Sequence, residues 1–121
     1  MDQDIMFQHH CEFASGAGTT TYFQLPYRCT LRNLKGIVQG DPGDDETVTV
    51  TYGTTVAGAT TAMGVLTFGN DIAAGAVGTW VADATYGETV MAADGYLKFV
   101  PSSGAAAAIC DLNIELDPYA R

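Results

Sequence analysis

The chain has 121 residues, enough for one domain that buries roughly two-thirds of its unfolded surface without metals or disulfides. It carries 14 acidic against 5 basic side chains, and its charged fraction of 16% falls below the usual value of about 25%. A net charge of −9 excludes a direct grip on a phosphate backbone or an anionic membrane surface, since only Arg28, Arg32 and Lys35 approach a basic cluster.

In chain order, residues 4–14 form a first strand, with Ile5, Phe7, Cys11 and Phe13 on one mostly apolar parity that His9 interrupts. Ser15-Gly16-Ala17-Gly18 is a turn, and residues 19–25 are a strand that Pro26 ends, because proline cannot donate to a ladder. Residues 27–39 are extended, but the alternation slips between Leu31 and Leu34. A bulge within residues 33–36, with Gly36 supplying the permissive backbone, restores it.

Gly40-Asp41-Pro42-Gly43-Asp44-Asp45-Glu46 is the strongest turn signal, with Pro42-Gly43 setting the turn and the carboxylates holding it in water. It opens a hairpin over residues 47–68. Val48, Val50 and Tyr52 take one parity, Thr47, Thr49 and Thr51 take the other, small residues turn the chain, and Met63-Gly64-Val65-Leu66-Thr67-Phe68 returns. Residues 69–78 read as a loop with a helical turn, because Gly75 and Gly78 would each cost about 1 kcal/mol inside a helix.

Residues 79–82 make a short strand in which Trp80 caps the core, and residues 88–91 suggest another. Residues 96–100 form a strand stopped by Pro101. The last strand, residues 107–117, alternates most cleanly: Ala108, Cys110, Leu112, Ile114 and Leu116 face inward, while Asp111, Asn113, Glu115 and Asp117 face water. About eight strands without a three-turn amphipathic helix predict an all-β fold, an antiparallel two-sheet sandwich of jelly-roll type, with a small open barrel as the alternative. No linker divides residues 1–121, so a single domain is expected.

No arrangement of residues spells out a reaction. The carboxylates Asp41, Asp44, Asp45 and Glu46 could hold calcium, but their spacing lacks the alternation of an EF-hand loop, and a solvated turn explains them without metal. His9, His10 and Cys11 are zinc-ligand types, yet neighbours on a strand point to opposite faces, so no metal site is assigned. Cys11, Cys29 and Cys110 are an odd, widely spaced set that reads as reduced thiols, with Cys110 an inert core residue and no nucleophile–base pairing evident. Nothing places Glu12 beside Asp83 or Glu88 for acid–base work. The aromatics, Trp80, Tyr86 and Tyr96 among them, are read as core before they are read as a sugar-stacking platform. No cofactor is implied.

The Thr-rich strand at residues 47–54, Met63-Gly64-Val65-Leu66-Thr67-Phe68, the Gly/Ala loop, Gly95-Tyr96-Leu97-Lys98-Phe99-Val100 and the closing Leu116-Asp117-Pro118 together resemble the small capsid decoration, or cement, proteins of tailed bacteriophages. The resemblance covers residues 27–118 and is one of pattern. It implies a non-catalytic virion protein that binds the outer surface of an assembled capsid as a homotrimer and staples neighbouring major capsid subunits. Synthesis in the host cytoplasm is expected, since Met1-Asp2-Gln3-Asp4 lacks the features of a secretory signal. The alternative is a head-fibre, tail or receptor-binding β-domain that recognises a host glycan. Within residues 1–13, Asp4, Ile5, Met6, Phe7, His9 and His10 are the expected capsid or subunit contact, the segment being a docking arm or an edge strand.

Overall fold

The alternation at the C-terminus builds the centre of one sheet. Strand β8 (Ala108–Pro118) turns Ala108, Cys110, Leu112, Ile114 and Leu116 inward, all buried, and lies between two antiparallel neighbours, β1 (Ile5–Phe13) and β3 (Cys29–Val38). The second sheet holds five antiparallel strands in the order β2 (Thr21–Gln24), β7 (Tyr96–Pro101), β4 (Glu46–Gly53), β5 (Thr61–Phe68) and β6 (Thr79–Ala82). The structure is a computed structural model and describes residues 5–13, 18–41, 46–69, 74–84, 89–102 and 108–118. Among these there is no helix.

The two sheets pack face to face over one core. Phe13, Leu31, Leu34, Leu112 and Ile114 come from the first sheet, and Val48, Val50, Met63, Leu66, Phe68, Leu97 and Phe99 from the second. The rings of Phe13 and Phe68 meet edge to face across the layers at 5.9 Å. Strands pair 1 with 8, 2 with 7 and 4 with 5, as when one long hairpin is wrapped around itself. The remaining pair, 3 with 6, survives in part. The segment before β6 lies along β3, with Ile37 bridging Val77 and with Gly75 N–H donating to Val38 O at 2.8 Å and Gly78 N–H to Gly36 O at 2.9 Å. One residue later the chain crosses to pair with β5. Two sheets with these pairings form the jelly roll expected from the strand count.

The segment read as a loop with a helical turn is a loop over its described part, residues 74–78, with a turn at 74–75, and those bonds hold it against β3. Two local expectations are corrected. The bulge in β3 falls between Leu31 and Asn33, making Arg32 the extra residue and returning both Leu31 and Leu34 to the core. Gly36 serves a different purpose, close packing between layers: a Cβ there would run into Leu66 Cδ2 and sit 3.1 Å from Phe68 Cζ. Glu46, read as part of the solvated turn, is instead 1% exposed at the head of β4, on the inward parity of Val48 and Val50. Its Oε1 accepts a hydrogen bond from Ser102 Oγ, which also accepts one from Thr47 N–H at 2.8 Å.

A second irregularity shapes the 47–68 hairpin. Val50 pairs with Gly64 and Thr51 with Ala62, so Met63 is an extra residue and turns into the core. Gly64 takes a φ of +153° under the Trp80 indole, where a Cβ would come 2.5 Å from Trp80 Cη2 and 2.7 Å from Val81 O. The bulge thus lets the indole lie over the sheet edge and pack against the core from its half-buried position. Asp4, the Pro42-Gly43 turn with Asp44 and Asp45, Tyr86, Glu88 and the Ser15-Gly16-Ala17 turn lie outside the described residues.

Candidate interaction surfaces

Strand β1 pairs with β8 over its whole length, from Ile5 with Leu116 to Phe13 with Ala108, and forms the edge of the three-stranded sheet. Alternation divides the expected contact residues between two faces. Phe7 and His9 turn toward the core. Phe7 packs against Phe23 and Tyr27 with ring centroids at 5.5 and 6.1 Å. His9 reaches across the sandwich, its Nε2 hydrogen-bonded to Thr21 Oγ1 at 2.9 Å and its ring 5.2 Å from Phe99 and 6.0 Å from Phe23. Burial, aided by the charge of His10, pulls the His9 pKa below its ordinary value. Ile5, at the start of the strand, is 40% exposed and Met6 56% exposed.

His10 lies on the outer face opposite Asp111, in a concavity of about 300 Å³ lined also by Gln8, His9, Ile37 and Asn113. Gln39 Nε2 donates to Asp111 Oδ2 at its rim. Among the described residues no three His, Cys, Asp or Glu side chains gather as metal ligands.

The cysteines are all buried free thiols. Cys29 lies at one end of β3 opposite Pro118, and burial, with the charge of Asp117 beside it, pushes its pKa up to about 11. The Cys11 thiol opposite Cys110 in the ladder, together with burial, raises the Cys110 pKa strongly. Neither is poised as a nucleophile, because the thiolate is disfavoured in both places. Glu12 lies on the outer face of β1 while Asp83 follows β6 in the other sheet, so the strand order does not bring them together.

The feature that composition foreshadowed only as low charge is a continuous surface. On the outer face of the five-stranded sheet, Val81, Val65, Thr49 and Val100 line up as cross-strand partners, with Thr79, Thr67 and Thr47 in the next row and Ala62, Thr51, Lys98 and Tyr22 in the row on the other side. Val81 is 58% exposed, Thr49 and Thr67 are exposed, and Val65 and Val100 are half-buried. Within these five strands Glu46 and Lys98 are the only charged residues, and Glu46 points inward. The three-stranded sheet, by contrast, carries Glu12, Arg32, Lys35, Asp111, Glu115 and Asp117.

Sequence reading identified the threonine parity of β4 but missed the valine row. Val65, Val81 and Val100 sit on three different strands, so only pairing register aligns them. At one end of this face Tyr22 and Tyr96 meet edge to face at 6.4 Å, with Gln24 Nε2 donating to Tyr96 Oη at 3.5 Å. Trp80, read as capping the core ahead of any sugar platform, turns inward on the opposite face of the sheet and packs against the core. Compared with models of known protein families and with curated protein sequences, the chain finds no match in either.

Proposed function

We propose that the protein is a structural subunit that works by surface contact: a capsid decoration protein whose Thr/Val sheet face, on which Lys98 is the one charged strand residue, packs against the next copy of the chain in a homotrimer. The observation that carries this reading is the Thr/Val face. A chain of net charge −9 meets itself at low electrostatic cost where its carboxylates are absent, and on this face the strands carry only the basic Lys98, while interface centres are depleted in charge. At about 4.8 Å per strand, five strands present a flat area on the order of 300 Å², the size of the centre of a standard contact, leaving its polar rim to neighbouring elements.

The capsid half of the reading rests on the resemblance in pattern over residues 27–118. On it, the partner is the major capsid protein, the site of action is the virion surface, and the exposed N-terminal residues Ile5, Met6 and His10 belong to the capsid contact. Trimers bound at three points gain attachment through effective concentration even where each contact is weak. Cosedimentation of the purified protein with undecorated capsids tests this reading, with intact host cells as the contrast. Binding to capsids at a copy number in the hundreds is expected, and binding to cells alone would replace this reading with that of a glycan-binding fibre domain. Deleting residues 1–13 is a poor probe, since Phe13 and Cys11 are core residues; Met6→Glu with His10→Glu keeps the strand and changes only its outer face.

A further inference from the structure

We infer that Cys11 and Cys110 form a latent disulfide that staples the N-terminal edge strand to the C-terminal strand. The two residues are direct antiparallel partners in the β1–β8 ladder, both thiols are free, and both are buried at 1% and 0% exposure. Opposite residues in such a ladder hold their Cα atoms about 4.5 to 5.5 Å apart, inside the window of roughly 4.4 to 6.8 Å that a disulfide spans. As direct cross-strand partners, both buried, the two side chains leave the ladder on the same inward face.

Cys29 is not an alternative partner. In the β3–β8 register it lies opposite Pro118 whereas Cys110 lies opposite Val38, so the two are eight positions apart along β8, about 27 Å at 3.4 Å per residue. The pairing is therefore fixed by topology, although three cysteines could be paired in three ways on paper.

Burial also sets when the bond forms. A small disulfide such as oxidised glutathione cannot reach either sulfur while β1 lies on β8, so attack follows opening of β1, an edge strand with a single sheet neighbour. One cysteine thiolate then attacks oxidised glutathione, whose S–S bond breaks to release one glutathione thiol and leave a mixed disulfide. The second cysteine attacks the protein-bound sulfur, the Cys11–Cys110 bond forms, a second glutathione thiol departs, and the cysteine protons end on the two glutathiones. In a reducing cytoplasm the pair stays as thiols, and it closes in oxidising surroundings.

The test is refolding of the fully reduced, full-length chain in a buffer of reduced and oxidised glutathione, where every thiol is accessible before the fold forms, followed by acid quench, alkylation and peptide mapping. The expected product has lost two hydrogens, carries a Cys11–Cys110 peptide and leaves only Cys29 alkylated, and Cys29→Ser gives the same bond. Hydrogen exchange of the β1 amides should slow roughly tenfold in the oxidised form. Three alkylated cysteines, a persistent glutathione adduct at Cys11 or Cys110, or a bond that includes Cys29 would each overturn the inference.

Discussion

Replacing Ser102 by alanine removes one hydroxyl on which two groups depend. Ser102 Oγ donates to Glu46 Oε1 and accepts from Thr47 N–H at 2.8 Å. Glu46 is 1% exposed, and among the described residues its other oxygen, Oε2, has no hydrogen-bond partner. Without the hydroxyl, Glu46 Oε1 joins Oε2 in having no partner, and the Thr47 N–H loses its own. Each stranded buried group costs about 1–3 kcal/mol, so Ser102→Ala should lower stability by about 2–4 kcal/mol. For a chain of this length, about 3 kcal/mol lowers the melting temperature by roughly 10 °C.

Urea unfolding followed by circular dichroism checks this, with the midpoint falling and the slope unchanged. Glu46→Leu in the same background should recover much of the loss, because removing a buried carboxylate with an orphan oxygen is close to neutral while stranding it is not. A loss under about 0.5 kcal/mol for Ser102→Ala would refute the claim that the hydroxyl holds the head of β4, since that is the size of an ordinary surface substitution.

Other expectations follow from the same packing. The His9 pKa is lowered in the fold, so protonation favours the unfolded chain: above about pH 6.5 the imidazole is neutral in both states and contributes nothing, stability falls as pH drops below 6.5, and the loss levels off once pH passes the depressed folded value. Urea midpoints between pH 7.5 and 5 should show this slope, and His9→Phe should flatten its share of it, whereas an unchanged slope would place the titration elsewhere. Gly64→Ala should cost at least about 2 kcal/mol and shift Trp80 fluorescence, since the new methyl meets the indole at a φ that disfavours side chains. Thr67→Glu, on the Thr/Val face, should leave the folded monomer within about 1 kcal/mol of wild type while weakening self-association.

What the sequence made legible was set by how local the cause was. The alternation of β8 is a period-two pattern within one strand, and it is seen in burial residue by residue. The β4–β5 hairpin and the bulge in β3 were readable for the same reason, although the bulge lies at Arg32 because register with β8, rather than glycine, decides where the extra residue falls. Gly36 looked like a backbone device and is a spacing device, which shows only once Leu66 and Phe68 of the other sheet lie over it. Glu46 shared the parity of Val48 and Val50, but its charge and its acidic neighbours made water the natural reading, and its partner Ser102 is 56 residues away. The segment at 74–82 divides its bonds between both sheets, a choice that no short window of sequence contains. The same holds for the valine row, whose members are neighbours only through pairing.

Sedimentation equilibrium of the wild-type protein beside Thr49→Glu puts the role of that face to the question. Thr49 lies on the central strand of the sheet, between Val65 and Val100, with its side chain in solvent. If copies of the chain meet there, the wild type sediments at three times its 12.7 kDa chain mass, and the added carboxylate reduces it to a folded monomer with an unchanged circular dichroism spectrum. A wild type that stays monomeric at the highest concentration reached, or a Thr49→Glu variant that assembles as tightly as the parent, would show that the Thr/Val face meets only water.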